Sequence, residues 1–303
     1  MTEDSTKNIQ NDQQEPPMRY ELRNRYVFAG ELEMKTGLHI GGGKVTLSYT
    51  DSPVVLTPEG LPFIPGSSFK GTLRSTIEKM VASLPADLGL HSCGLPTEEI
   101  PDEPCPTARQ REIADKRRFR PNEAEKILKE ARAKLCQTCQ LFGSPYSASR
   151  ITINDLYLID DEWSGATQIR DGVAIDRDSE TAKSGAKYDF EVVPSTTTFK
   201  LYIMIENATE QDLQLISIGL SEFISGFGSV GGFRSRGLGA CILKNLSIRA
   251  MRLTDDKRKQ RLQRYLLRKK DGKDDGLEAI EDAQAFFDEH INTLFKEPQA
   301  SNS

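Results

Sequence analysis

The sequence predicts an α+β fold: a β-α-β-β-α-β core interrupted by two long insertions. Three observations carry this. Several segments place apolar residues on alternate positions, as half-buried strands do. Two segments carry an apolar stripe at helical spacing. The two kinds follow one another in a fixed order, with residues 85–149 and 161–197 set between them.

The first strand is "YVFAGELEM" (26–34), where Phe28, Leu32 and Met34 share a face. "PGSSFKGTLRSTIEKMVASL" (65–84) follows as a helix, with Leu73, Ile77, Met80, Val81 and Leu84 as its stripe. A serine at its start is suited to cap the free N–H groups. "RITINDLYLID" (150–160) reads as the second strand, and "TFKLYIMIE" (198–206) as the third, with Phe199, Leu201, Ile203 and Ile205 on one face. "TEQDLQLISIGLSEFISGF" (209–227) is the second helix, capped by Thr209, and "LGACILKNLSIRAM" (238–251) the last strand. This order is the ferredoxin-like arrangement shared with RNA-recognition motifs. Polar residues 1–18 read as a disordered tail. The core then spans 19–254, and 255–303 is a helical extension: nine Lys and Arg within 257–273, then Leu277, Ile280, Phe287, Ile291 and Leu294 on one amphipathic helix.

Bulk properties exclude several classes. No apolar run approaches the roughly 18 residues that span a bilayer, and nothing resembles a signal peptide, so a cytoplasmic protein with no membrane partner is expected. A net charge of −5 over 303 residues confines any nucleic-acid site to a local patch. Gly43-Lys44 fails as a phosphate-binding NTPase loop, because Leu38 and Val45 occupy its required Gly and Ser/Thr positions. The aromatic signature of RNA-recognition motifs is absent, so base stacking on the sheet is not indicated.

Four features carry chemistry. First, four of the five cysteines fall within 93–139. Cys136-x-x-Cys139 has zinc-knuckle spacing, and Cys93 and Cys105 complete a closed thiolate shell for a structural Zn²⁺. His91 is a spare candidate. "NEAEKILKEARAKL" (122–135) reads as a capped helix delivering the pair. Residues 109–134 hold ten basic and five acidic residues, suited to phosphates or to water. Second, "GFGSVGGFRSRGLG" (226–239) is either a tight connector or a loop that lets backbone, Arg234 and Arg236 approach a phosphate. Third, the start of the first helix places Ser67, Ser68, Lys70 and Arg74 where a helix N-terminus favours phosphate; Lys70 and Arg74 share a face. Fourth, Asp51 precedes Ser-Pro in "GLHIGGGKVTLSYTDSP" (37–53), either opening a turn or presenting a carboxylate on a long loop.

Taken in order, "TGLHIGGG", "DSPVV", "GLPFIPGSSFKGTLRS", "CQLFGS", "DGVAIDRDSETAKSGAKYDFEVVP" and "FGSVGGFRSRGLG" resemble the backbone subunit of type III CRISPR effector complexes, in the superfamily of repeat-associated mysterious proteins. The match is nearest to the Csm type and covers roughly residues 26–250. The four-cysteine insertion and the segment after 255 are not general features of that family. The resemblance implies copies stacked as a filament along a CRISPR guide RNA, beside other type III effector subunits. It implies that Ser68, Lys70, Arg74, Arg234 and Arg236 grip guide-RNA phosphates, that His39 organises the loop or contacts guide RNA, and that the second insertion is a thumb-like hairpin wedging into the guide–target duplex; Ser67 and Lys44 are further candidates for RNA contact. It further implies that Asp51 cleaves bound target RNA at regular intervals with Mg²⁺ or Mn²⁺. A non-cleaving scaffold of the same complex is the alternative. An aspartate ordinarily titrates near pH ~4, too low for a good general base at neutral pH, so holding a metal is the expected role. No second carboxylate is evident beside Asp51 in the sequence, which predicts a weakly held ion and slow cleavage.

Overall fold

A computed structural model of the chain describes residues 21–42, 50–96, 98, 100, 102–159, 163, 165–268 and 275–296. The predicted tail 1–18 and Lys44 lie outside them. The strands are β1 (Asn24–Met34), β2 (Ile151–Ile153), β3 (Gln168–Ile175), β4 (Ala182–Val192), β5 (Thr198–Glu206), β6 (Cys241–Arg252) and β7 (Glu278–Ile280). The helices are α1 (Gly66–Ala82), α2 (Gln110–Phe119), α3 (Ala124–Ala133), α4 (Gln137–Phe142), α5 (Glu210–Ile224), α6 (Arg258–Leu266) and α7 (Ala283–Phe295).

One antiparallel sheet runs β2-β5-β1-β6-β7, and β3 and β4 form a separate hairpin. The molecule is therefore a mixed α and β structure around an antiparallel sheet. Alternation sets its faces. Phe28, Leu32 and Met34 of β1, with Phe199, Leu201, Ile203 and Ile205 of β5, are buried in the main core. The apolar stripes of α1 (Phe69, Leu73, Ile77) and α5 (Leu213, Ile216, Leu220, Phe223) cover that face. Gly219 makes their close approach feasible: a Cβ there would lie 2.6 Å from Ile77 Cγ1. On the opposite face Val27, Met251, Leu253 and Leu277 form a smaller cluster, with Leu262 and Tyr265 of α6 packed on it.

Several elements depart from expectation. The second strand stops at Ile153; beyond it the chain makes only isolated bridges, Leu156 to Ile64 and Leu158 to Phe199. No serine caps α1. Pro65 is its N-cap residue, and the carboxylate of Asp155 accepts the Gly66 N–H at 2.7 Å. Proline fixes φ for helix entry but offers no side-chain acceptor, so the acceptor comes from the neighbouring chain. No side-chain cap is present on α3 either. At α5 Thr209 caps as expected, reciprocally with Asp212 in a capping box. The C-terminal apolar pattern divides in two: β7 extends the sheet beside β6, and α7 then buries Phe286, Phe287 and Leu294 against Phe28 and the main core.

Candidate nucleic-acid interface and metal centre

Two basic residues of α1, Lys70 and Arg74, turn inward. Lys70 Nζ donates to Ser149 Oγ (2.7 Å) and to the Ile151 carbonyl (3.1 Å). Burial, and then the charge of Arg74, lower its pKa. Arg74 donates to Glu78 (2.8 Å), to the Gly143 carbonyl (3.1 Å) and to Cys139 Sγ (3.3 Å). Burial pulls its pKa down, but the bonds to Glu78 and Cys139 more than offset this. Of the four residues expected at the helix start, Ser67 is exposed and Ser68 half-buried.

Arg74 thus reaches the four thiols. Cys93, Cys105, Cys136 and Cys139 are all buried, with their sulfurs within 4.8 Å of one another. Cys93 and Cys139 sulfurs stand 3.6 Å apart. That is far beyond a disulfide bond of about 2.05 Å, and it suits a tetrahedral ion with sulfur ligands at about 2.3 Å. Ala108, Ile113, Ala131, Leu135 and Tyr146 seal the cluster as a small core of its own. The Cys136 N–H donates to Cys105 Sγ at 3.4 Å. Hydrogen bonds from Cys136, Cys139 and Cys93 hold the Cys105 thiol far below its usual range. At Cys139 the Cys105 thiolate pushes upward, but Cys136 and Cys93 prevail and bring it to about 7. Four converging soft donors are the donor set of a closed metal site. His91 stays outside it, its Nε2 on Glu103 at 2.6 Å. The fifth thiol, Cys241, is buried in β6 and raised to about 12 by desolvation.

The second centre lies where the Asp51 segment meets β4. Along "YDFEV" (188–192) alternation splits the strand. Phe190 and Val192 are buried with Leu238, and Tyr188 packs against them. The carboxylates of Asp189 and Glu191 serve the other face. The Asp51 N–H donates to Asp189 Oδ1 (2.7 Å), and the Asp189 N–H donates to Asp51 Oδ2 (3.1 Å). One residue on, the Glu191 N–H donates to the Ser52 carbonyl (3.0 Å), and Glu191 Oε2 accepts from the Val54 N–H (3.1 Å). The absence of a second carboxylate beside Asp51, read from the sequence, is therefore corrected: Asp189, 138 residues away in the chain, adjoins it. Alternation of acids and apolar residues in 188–192 was the available signal.

His39 sits beneath this corner, buried. Its Nδ1 bonds the Glu191 carbonyl at 2.7 Å, and its Nε2 lies 3.3 Å from Ser52 Oγ. A carbonyl only accepts, so Nδ1 carries a proton; in the neutral ring Nε2 then accepts from the Ser52 hydroxyl. The His39 carbonyl accepts the Gly232 N–H at 2.8 Å, tying in the glycine-rich loop. Gly231 there has φ +85, and a Cβ on it would come within 2.4 Å of that carbonyl. Arg234 and Arg236 occupy one exposed turn of this loop. Arg236 lies over the rings of Phe233 (5.3 Å) and Tyr188 (5.9 Å) and donates to the Tyr188 hydroxyl. Phe233 stacks on Phe190 at 4.5 Å. The hairpin, the Asp51 segment, His39 and the arginine turn are thus one packed unit, whereas Lys70 and Arg74 are engaged on the side of α4 and the thiols.

The chain is 26% identical over 246 residues to the CRISPR system Cms endoribonuclease Csm3 of Methanocaldococcus jannaschii, covering 75% of this chain and 82% of the relative. The protein of that name from Methanothermobacter thermautotrophicus is 24% identical over 265 residues, covering 75% and 87%. The one from Enterococcus italicus is 48% identical over a shorter stretch of 61 residues, 19% of this chain and 28% of the relative. The RAMP superfamily model matches residues 31–242, from β1 to β6, and the chain belongs to the RAMP superfamily.

Proposed function

We propose that the protein is the RNA-cleaving backbone subunit of a type III CRISPR ribonucleoprotein. It binds guide RNA as a filament of identical copies, together with the other effector subunits, and cuts complementary target RNA at regular intervals in the cytoplasm. The observation that carries this is the exposed Asp51 carboxylate held against the base of the β3–β4 hairpin, in a chain similar to proteins named endoribonucleases.

The antiparallel order β2-β5-β1-β6, with α1 and α5 packed together, supports a ferredoxin-like core. The hairpin serves as the thumb that parts the guide–target duplex; unstacking a base step costs a few kcal/mol. The exposed Arg234 and Arg236 turn, with Ser67 and Ser68 at the start of α1, meets guide phosphates as charge-assisted and backbone contacts. Arg236, held over two rings and bonded to the Tyr188 hydroxyl, is fixed at the exposed surface of the turn. His39 orders the corner from below. Lys70 and Arg74, bonded inward, support the surface by fixing α1 on the start of β2 and on α4.

Zn²⁺ in the four-thiol cluster would be structural, because no position of that shell is left for water or substrate. At Asp51 the donors are hard oxygens, which suit Mg²⁺ or Mn²⁺; such an ion, when bound, supplies charge neutralisation at the scissile phosphate. Asp51 keeps one carboxylate oxygen outside its bond to the Asp189 N–H and would hold it. Asp51 also fixes the target backbone beside the displaced nucleotide, whose 2′-hydroxyl can align with the next phosphate.

Complexes assembled with wild-type or Asp51→Ala protein, given labelled complementary RNA with Mg²⁺, Mn²⁺ or EDTA, test this. A regular ladder of products that disappears with Asp51→Ala and with EDTA is expected. Bound but intact RNA with the wild-type protein would instead make it a scaffold.

A further inference from the structure

We propose that Asp189 is a positioning residue for cleavage: its carboxylate, on the hairpin strand β4, fixes the backbone and thereby the carboxylate of Asp51. This rests on the reading that Asp51 cuts the target.

The geometry is reciprocal. Asp189 Oδ1 accepts the Asp51 N–H at 2.7 Å, while Asp51 Oδ2 accepts the Asp189 N–H at 3.1 Å. An exposed carboxylate at Asp51 facing a half-buried one at Asp189 would be repelled by it. Here each turns one oxygen to the other's main-chain donor, so each charge is met by an N–H dipole. Asp51 has thereby lost rotational freedom on both sides of its Cα. The bridge between Ser52 and Phe190 and the bond from Glu191 N–H to the Ser52 carbonyl continue the same docking, so the segment is registered on β4 over consecutive residues. Phe190 in turn is stacked on Phe233 and edge-on to His39, which makes β4 a firm platform at this point. Of these docking bonds, those between Asp51 and Asp189 alone act on the residue that would meet the scissile phosphate. Holding a reacting group in place contributes through geometry, and a displacement of about 1 Å can cost on the order of 100-fold in rate.

The role also predicts which chemistry Asp189 needs. Accepting an N–H requires an oxygen, not a charge, so asparagine can substitute and alanine cannot. The test uses assembled complexes carrying wild-type, Asp189→Ala, Asp189→Asn or Asp51→Ala protein, at saturating target and saturating Mg²⁺, with single-turnover cleavage and target affinity both measured. We expect Asp189→Ala to cleave roughly 10- to 100-fold more slowly with unchanged target affinity, and Asp189→Asn to recover most of the rate. Wild-type cleavage by Asp189→Ala overturns the proposal. So does an Asp189→Asn protein as slow as Asp189→Ala, which would make the charge rather than the acceptor the requirement. Wild-type cleavage by Asp51→Ala would remove the underlying assignment itself, a result distinct from failure at Asp189 alone. Assembly and thermal unfolding of Asp189→Asn separate a positioning defect from a folding one.

Discussion

The four-thiol cluster and the Asp51 corner are built the same way and differ in access. Each joins residues far apart in the chain: Cys93 with Cys139, Asp51 with Asp189. The thiols are sealed, with Cys105 and Cys139 fully buried, and a charged guanidinium closes the shell from α1. The carboxylates stand open, and backbone N–H groups rather than cations meet them. A closed, soft site stores stability, while an open, hard site leaves oxygens for something from outside. The difference lies in what surrounds the donors more than in how the chain gathers them.

The strongest way to break this contrast is to open the closed site. Cys105→Ala should abolish metal retention and unfold the insertion, since a structural zinc site contributes on the order of 10 kcal/mol at neutral pH. Metal analysis and thermal unfolding would report it. Chelation should likewise expose four thiols to alkylation and leave Cys241, raised to about 12 by burial, unreactive until the chain is denatured. At the open site, Asp51→Ala should lower cleavage by at least about 100-fold with only a small loss of melting temperature, because the Asp189 N–H it releases is near solvent and can turn to water. A smaller effect is expected between the two: Arg74→Met strands the Gly143 carbonyl and Glu78, costing about 1–3 kcal/mol, without changing the salt dependence of RNA binding. The smallest is Arg234→Ala, which should leave stability intact and flatten the salt slope of guide binding by about 0.7. Equal salt slopes for Arg74→Met and Arg234→Ala would erase the division drawn between inward and outward cations.

The regular elements were legible because their signals are local. Alternation in 198–206 and the stripe of 209–227 appear as β5 and α5, and the Thr209 cap was readable from residue type. The cysteine spacing likewise announced a cluster. What could not be read were interactions supplied from elsewhere in the chain. Asp155 serves the first turn of α1, where the local serines do not. The inward bonds of Lys70 and Arg74 depend on Ser149, Gly143 and Cys139, so equal spacing on a helix face said nothing about direction. β7 looked like the start of a helix because three residues carry no period of their own; only its pairing with β6 makes it a strand. Asp189 escaped for the same reason, its partner lying 138 residues upstream.

The sheet also sets an order in time. β1 is central, yet its partners are made late: Arg25 pairs with Glu206, 181 residues on, and Asn24 with Arg252. During synthesis β1 must wait, unpaired, while the thiol insertion, whose contacts close over a few tens of residues, completes itself. Distant pairing is slow because loop closure must be paid first. An apolar strand is therefore without a sheet partner on every nascent chain until residue 206 emerges, and keeps one edge open until residue 252 follows.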